Sequence, residues 1–231
     1  GNGGDTAGTG GETAGAGGET AGAGGDTGGS GGDTPPPNPT PGEIMGWATQ
    51  GSGGTTGGGN ATPVTVTSMG ELNDHAGGSD PKVVYVSGEL SGTLKPGSNK
   101  TIIGLPGARI TNASFGGSSN VIMRNLIFQG GTDTINTNGA HHLWFDHLDI
   151  SDGSDGVLDI THESDFITVS YTKVWYARGG GHKNACLVGN RDDATHDRGK
   201  MRVTFYKCWW ADGVMERMPR VRYGKVHVLN N

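Results

Sequence analysis

The chain has 231 residues, a net charge of −6 and 46 glycines, and only 32% of it is hydrophobic and 6% aromatic. Residues 1–42 hold no Lys or Arg and five acids (Asp5, Glu12, Glu19, Asp26 and Asp33), so the overall acidity belongs to that stretch and the remaining −1 leaves the rest nearly neutral. No apolar run approaches the roughly 20 residues of a bilayer-spanning helix, so no membrane span is expected.

Residues 3–34 repeat with a period of seven (GGDTAGT, GGETAGA, GGETAGA, GGDTGGS). The period suits a coiled coil, but no apolar seam exists, and the composition predicts a flexible Gly-rich tether. Gly28 to Gly32 match the G-x-S-x-G nucleophile elbow in letters alone, without the strand and helix that the elbow requires. The Pro-rich stretch 35–41 reads as a stiffer spacer. The chain opens on Gly rather than Met and reads as a processed chain or a fragment, with its folded domain over 43–231.

Within that domain 64–67 reads as a strand, and 68–76 as a short helix with Ser68 as N-cap and Glu71 completing a capping box. From Lys82 onward short β-type runs recur at 82–86, 100–104, 120–128, 142–150, 165–171, 201–206 and 225–229. The apolar residues Val121, Leu143, Phe166, Val203 and Val226 lie 22, 23, 37 and 23 residues apart, and the long step holds a polar, Gly-rich insertion over 177–200. Strands at a near-constant period with no helices between them predict a solenoid whose coils each need neighbours to bury their apolar faces. A parallel β-helix satisfies this. A sandwich would demand tight hairpins, and none joins adjacent strands over 120–176.

Three constellations carry chemistry. Asp133 and Asp155 are 22 residues apart, one coil, and so fall on adjacent rungs. Asp159 lies four residues further, roughly 13 Å in full extension, and a bend at Gly156 is needed to bring it back. Three carboxylates without Cys or His suit a hard cation such as Ca²⁺, while a purely structural reading as turn aspartates stays open. His141, His142, His147 and His162 read as structural, with Asp146 and His147 paired at a coil corner and His142 and His147 on opposite strand faces. Arg217, Arg220, Arg222 and Lys225 place four cations within eleven residues, and Lys183 from the insertion could join them. Arginine suits the planar grip of carboxylates, so a polyanion bridged partly by metal is the natural partner. Nucleic acid is disfavoured by the near-neutral domain and by the lack of aromatics among these cations other than Tyr223.

The segments NVIMRNL (120–126), LWFDH (143–147), DGSDGVLDI (152–160), ITVSY (167–171), RVTF (202–205) and RMPRVRYGKVHVLNN (217–231) resemble, in order, the pectate lyase superfamily of polysaccharide lyases. The resemblance runs from about Gly46 to the last residue and omits the tail. It implies a right-handed parallel β-helix, all-β in class and C-terminally incomplete, because the family continues past the Asn-Asn pair. It further implies Ca²⁺-dependent β-elimination on polygalacturonate, the pectate of plant cell-wall pectin, by a secreted monomer; the Gly-rich tail, outside the resemblance, is expected to tether it at a cell surface. By motif, Asp133, Asp155 and Asp159 match the calcium carboxylates, Arg217 the base, and Arg222 and Lys183 the residues that hold substrate. A further acid that some members carry two positions before Asp133 is Gly131 here. Free arginine titrates above about 12, so a guanidinium base needs surroundings that favour its neutral form. Alternatives from other classes are a pectin lyase, a β-helix hydrolase with paired Asp as acid and base, and a non-catalytic carbohydrate-binding solenoid.

Overall fold

Every strand pairing in the described residues is parallel, and each strand pairs with a strand one coil away. The computed structural model describes residues 44–178 and 181–231, so the tether and spacer expected over 1–42 lie outside the described residues. The molecule is a parallel β-helix, as the recurring β-branched runs predict, and the all-parallel ladder excludes the sandwich.

One sheet stacks eight strands: Pro63–Val66, Lys82–Val86, Lys100–Gly104, Ser119–Arg124, His141–Asp146, Asp165–Ser170, Arg202–Tyr206 and Lys225–Leu229. These runs were the visible ones because their inward residues are large and β-branched or aromatic, and one continuous core passes through Val84, Ile102, Val121, Leu143, Ile167 and Val203. A second sheet of ten strands, of two to eight residues, was largely hidden in the sequence. Its pivot is Arg109–Gly116, whose first half pairs with Ile127–Gln129 and whose second half pairs with Asp133–Asn138. Beyond that pivot the sheet divides into two wings. Ile127–Gln129, Asp149–Ser151, Lys173–Trp175 and Trp209–Trp210 build one wing. Asp133–Asn138, Gly156–Thr161, Cys186–Val188 and Arg220–Val221 build the other, which carries the site.

The runs 120–128 and 142–150, predicted as single strands, each break at a corner. Asn125, His147, Tyr171, Lys207 and Asn230 occupy the equivalent corner of successive rungs, all left-handed with φ of 55°, 50°, 48°, 51° and 54°. Asn adopts this conformation at little cost; the others do so against side-chain sterics. Stacking offsets that cost: the His147 and Tyr171 rings lie 4.7 Å apart at 10°, and Lys207 Nζ sits 5.1 Å from the Tyr171 ring. His147 therefore leaves its strand altogether, and the opposite-face relation predicted for His142 and His147 does not arise. Register also corrects the period. Leu143 pairs with Ile167 rather than Phe166, and Ile167 with Val203, making the steps 22, 24, 36 and 23. Phe166 instead turns outward at φ 53° and packs its ring 4.8 Å from His142.

The helix forms where its cap predicts, over Met69–Ala76, with Ser68 Oγ accepting from the Glu71 N–H. The Glu71 carboxylate reaches one residue further back than a capping box requires and accepts from Thr67 N–H at 3.0 Å. Leu72 and Ala76 join the core, so this amphipathic turn closes the first coils. Cys186 and Cys208 are both buried and unbridged, which answers the open pairing. Among the described residues no helix is long and apolar enough to cross a membrane.

Candidate active site

Asp133 opens its strand, and the next rung brings Gly156 into register with it. Asp155 N–H donates to Thr132 C=O at 2.9 Å, so the one-coil spacing does place Asp133 and Asp155 on adjacent rungs. The bend needed for Asp159 is present and is shared by both rungs. Thr134 and Ile135 are both fully buried, as are Val157 and Leu158 above them, so the in–out alternation slips by one residue. Asp133 and Asp159 then come out on the same side. A Cβ at position 156 would lie 2.8 Å from Asp159 Oδ1 and 3.4 Å from Asp133 Oδ1, so those two oxygens are at most 6.2 Å apart. Glycine at 156 thus keeps the space between two carboxylates free of side chain.

Arg217 enters from the far rung. Its backbone is left-handed at φ 62°, its carbonyl accepts from Cys186 N–H at 2.7 Å, and its Nη1 lies 4.0 Å from Asp159 Oδ2. Three buried atoms here lack any hydrogen-bond partner: Asp133 Oδ1, Asp159 Oδ1 and Arg217 Nε. Orphaned buried polar atoms are expensive, and their grouping at one spot marks a place prepared for another molecule. Electrostatics agree. Burial raises the Asp159 carboxyl to about 7, with Asp133 and Asp155 pushing it the same way and Arg217 opposing. Asp133 is raised as well, first by burial and then by Asp155. A concavity of about 560 Å³ lies at the Asn125–His147–Tyr171 corner, and none of those orphaned atoms lines it.

The other predicted residues are placed less tightly. Lys183 is partly exposed at φ 54°, and its carbonyl accepts from Met215 N–H at 3.0 Å; this links the insertion to the Arg217 segment. Arg222 lies beyond the Arg220–Val221 strand, and its Nε donates to the Asp192 carboxylate. It is therefore engaged by a residue of its own chain rather than turned toward the carboxylates. Arg220 shares the outward column of Asp159 and Leu187.

Two supporting residues escaped sequence reasoning. Asn184, 4% exposed, donates from Nδ2 to Asp155 C=O at 2.9 Å, and its own carbonyl accepts from Tyr176 Oη and Val157 N–H. Asp152 accepts from Gln129 Nε2 and from the backbone N–H groups of Ala177 and Arg178, and so pins the start of the insertion. A buried Asn one residue after a basic residue in a Gly-rich loop was the available signal for the first. The second had none.

The donor set suits a hard cation. Two orphaned carboxylate oxygens face one gap, and a third carboxylate raises the pKa values of both. Among the described residues no three such side chains converge as they stand, because the exposed Asp155 carboxylate turns aside to within 4.0 Å of His182 Nε2. Gly131 stands at φ 82° with a would-be Cβ 2.9 Å from Asn112 Cβ, so an additional acid there would be strained and crowded.

The chain is thus a parallel β-helix that brings two buried carboxylates and an arginine together on one outer sheet face. The family described as pectate lyase matches residues 37–231, and the chain belongs to that family. It is similar to the probable pectate lyase B of Aspergillus flavus, 38% identical over 208 residues, which span 83% of this chain and 62% of that protein. It is also similar to pectate lyase plyB of Emericella nidulans, 36% identical over 81% of this chain and 60% of the relative. The solved thermostable pectate lyase PL 47 shares the fold with a TM-score of 0.68 and 25% identity, over 79% of this chain and 68% of that one. The chain spans about three-fifths of the length of the curated relatives it matches.

Proposed function

We propose that the protein is a secreted pectate lyase that cleaves polygalacturonate by β-elimination and leaves a 4,5-unsaturated end on the product. The observation that carries this reading is Arg217 poised 4.0 Å from Asp159 beside two unpartnered buried carboxylate oxygens. The pectate lyase names of its relatives support it. Arg217 in its neutral form takes the proton from C5, next to the uronate carboxylate. The C5–H electron pair forms the C4–C5 double bond while the C4–O bond to the leaving sugar breaks, and the departing oxygen takes a proton from solvent water. Arg222 and Lys183 hold uronate carboxylates and stabilise charge that develops there. Asp133, Asp155 and Asp159 would hold Ca²⁺, which when bound draws charge from the carboxylate and acidifies the neighbouring C–H. Asn184 steadies Asp155 through its backbone, and Gly156 keeps the gap open.

The deciding experiment is incubation with polygalacturonate while following the absorbance of unsaturated uronides. A rise that chelator abolishes and added calcium restores is the expected result. New reducing ends without a double bond, insensitive to chelator, would overturn the lyase reading in favour of a hydrolase.

A further inference from the structure

The coil between Ile167 and Val203 takes 36 residues where its neighbours take 22 to 24. Part of the extra chain leaves after the Cys186–Val188 strand, makes a short 3-10 turn over Thr195–Asp197 and returns at Arg202. The excursion is anchored. Asp197 is fully buried, and its Oδ1 accepts from Glu163 N–H at 2.8 Å. What the anchored loop presents is Asp192. Its carboxylate accepts from Arg222 Nε, and its carbonyl accepts from Tyr223 Oη. The Arg198 guanidinium lies 5.3 Å from the Tyr223 ring and backs this contact. The Arg222 hydrogen bond and charge hold the Asp192 carboxyl below the usual carboxylate range, so it is ionised at working pH.

We propose that Asp192 is an internal stand-in for a substrate carboxylate: it occupies Arg222 in the free protein and is displaced when a uronate binds. The inference rests on the reading of Arg222 as a substrate-holding residue. The chemistry of the exchange is even, because one carboxylate replaces another and the guanidinium, whose side chain is 19% exposed, is never left without an anion. The exchange is also easy. The Asp192 side chain is 88% exposed, and a pair this open is worth about a two- to fivefold factor in an equilibrium. Asp192 thereby weakens every uronate that must displace it by about that two- to fivefold factor.

The test compares Asp192→Asn and Asp192→Ala with the unaltered protein. KM for polygalacturonate should fall about two- to fivefold in both with kcat unchanged, and Asp192→Glu should restore the original KM. A higher KM or a lower kcat would make Asp192 a positioning residue for Arg222, and an unmoved KM would leave it without a role; either overturns the proposal. Binding of saturated oligogalacturonate to Arg217→Ala protein, with and without Asp192→Asn, gives the same comparison without turnover. Binding tightened by Asp192→Asn without unsaturated product from the unaltered protein sinks the lyase reading alone. Product formation with KM and binding unmoved by Asp192→Asn sinks the stand-in alone. No binding at all removes both.

Discussion

Two buried carboxylates on two faces of this solenoid receive opposite treatment. Asp146 is 1% exposed and fully engaged: Arg124 Nε donates to it at 2.8 Å, Ser170 Oγ at 2.5 Å, and His147 Nδ1 lies 2.7 Å away. Arg124, Asp146 and Ser170 stack in register on three successive rungs, and Trp144 Nε1 donates to Ser170 Oγ at 2.8 Å, so the helical repeat itself completes the network. Asp159 is 8% exposed and has the same rung spacing to work with, yet of its register neighbours Asn136 and Leu187 the latter reaches its carboxylate only through the backbone N–H, and no side chain completes a network. Its Oδ1 stays unpartnered, and Arg217 stands off at 4.0 Å. A solenoid can satisfy a buried acid with its neighbours at negligible extra cost. Asp197, also buried with one oxygen unpartnered, anchors a loop, so a lone orphan decides little; the grouping of Asp133 Oδ1, Asp159 Oδ1 and Arg217 Nε at one spot is what sets this face apart.

Substitution should separate the two sites cleanly. Arg217→Gln is expected to lower kcat on polygalacturonate about 10²- to 10⁴-fold, the range of a lost proton-transfer group, with the thermal midpoint little changed. Asp146→Ala should do the reverse. Removing this buried acceptor from the network of Arg124, Ser170 and His147 costs about 3–5 kcal/mol in chemical denaturation, while activity per folded molecule persists. If Asp146→Ala abolished turnover in folded protein, or Arg217→Gln chiefly unfolded it, the division drawn between the faces would be wrong.

Legibility in the sequence follows the same division. Lys82–Val86, Lys100–Gly104 and Lys225–Leu229 were readable to the residue because their inward positions are apolar and mostly β-branched. Asp133–Asn138, with the sequence DTINTN, and the three-residue Lys173–Trp175 carry too few apolar residues to announce a strand; only stacking on their neighbours makes them one. The corner ladder was hidden because only Asn125 and Asn230 belong to the residue type that favours a left-handed turn. At the candidate site, the adjacency of the Asp133 and Asp155 rungs was legible as one coil of spacing, and Arg217 stood out by motif. Asp192 did not, because its partner lies 30 residues away and no local pattern links a loop acid to a distant guanidinium.

A gentler substitution addresses the gap itself. Gly156→Ala would put a methyl 2.8 Å from Asp159 Oδ1 and 3.4 Å from Asp133 Oδ1, forcing the carboxylates apart. We expect a cost of about 1–3 kcal/mol from overpacking, together with weaker calcium binding by calorimetry. Undiminished calcium affinity would show that the ion sits elsewhere.

The smallest predicted effect bears on the open face most directly. The Asp159 carboxyl is raised from 3.8 to about 7, first by burial and then by Asp133 and Asp155. A carboxyl raised on folding binds more protons in the folded than in the unfolded chain between those two values. Chelated protein should therefore be most stable, with respect to this group, below about pH 4, and should lose that contribution as pH rises toward 7. Solvent relaxation around a partly open site brings the loss to about 1–2 kcal/mol, a few degrees in thermal midpoint for a domain this size. Calcium answers the same charge, so the midpoint rise it produces should be larger at pH 8 than at pH 5. Asp159→Asn, which keeps the shape and removes the charge, should flatten the chelated profile and abolish most of the calcium response. A wild-type midpoint that climbs between pH 5 and pH 7.5 in chelator, with Asp159→Asn climbing in parallel, would mean that the pair is not under electrostatic strain and that its orphaned oxygens find water instead.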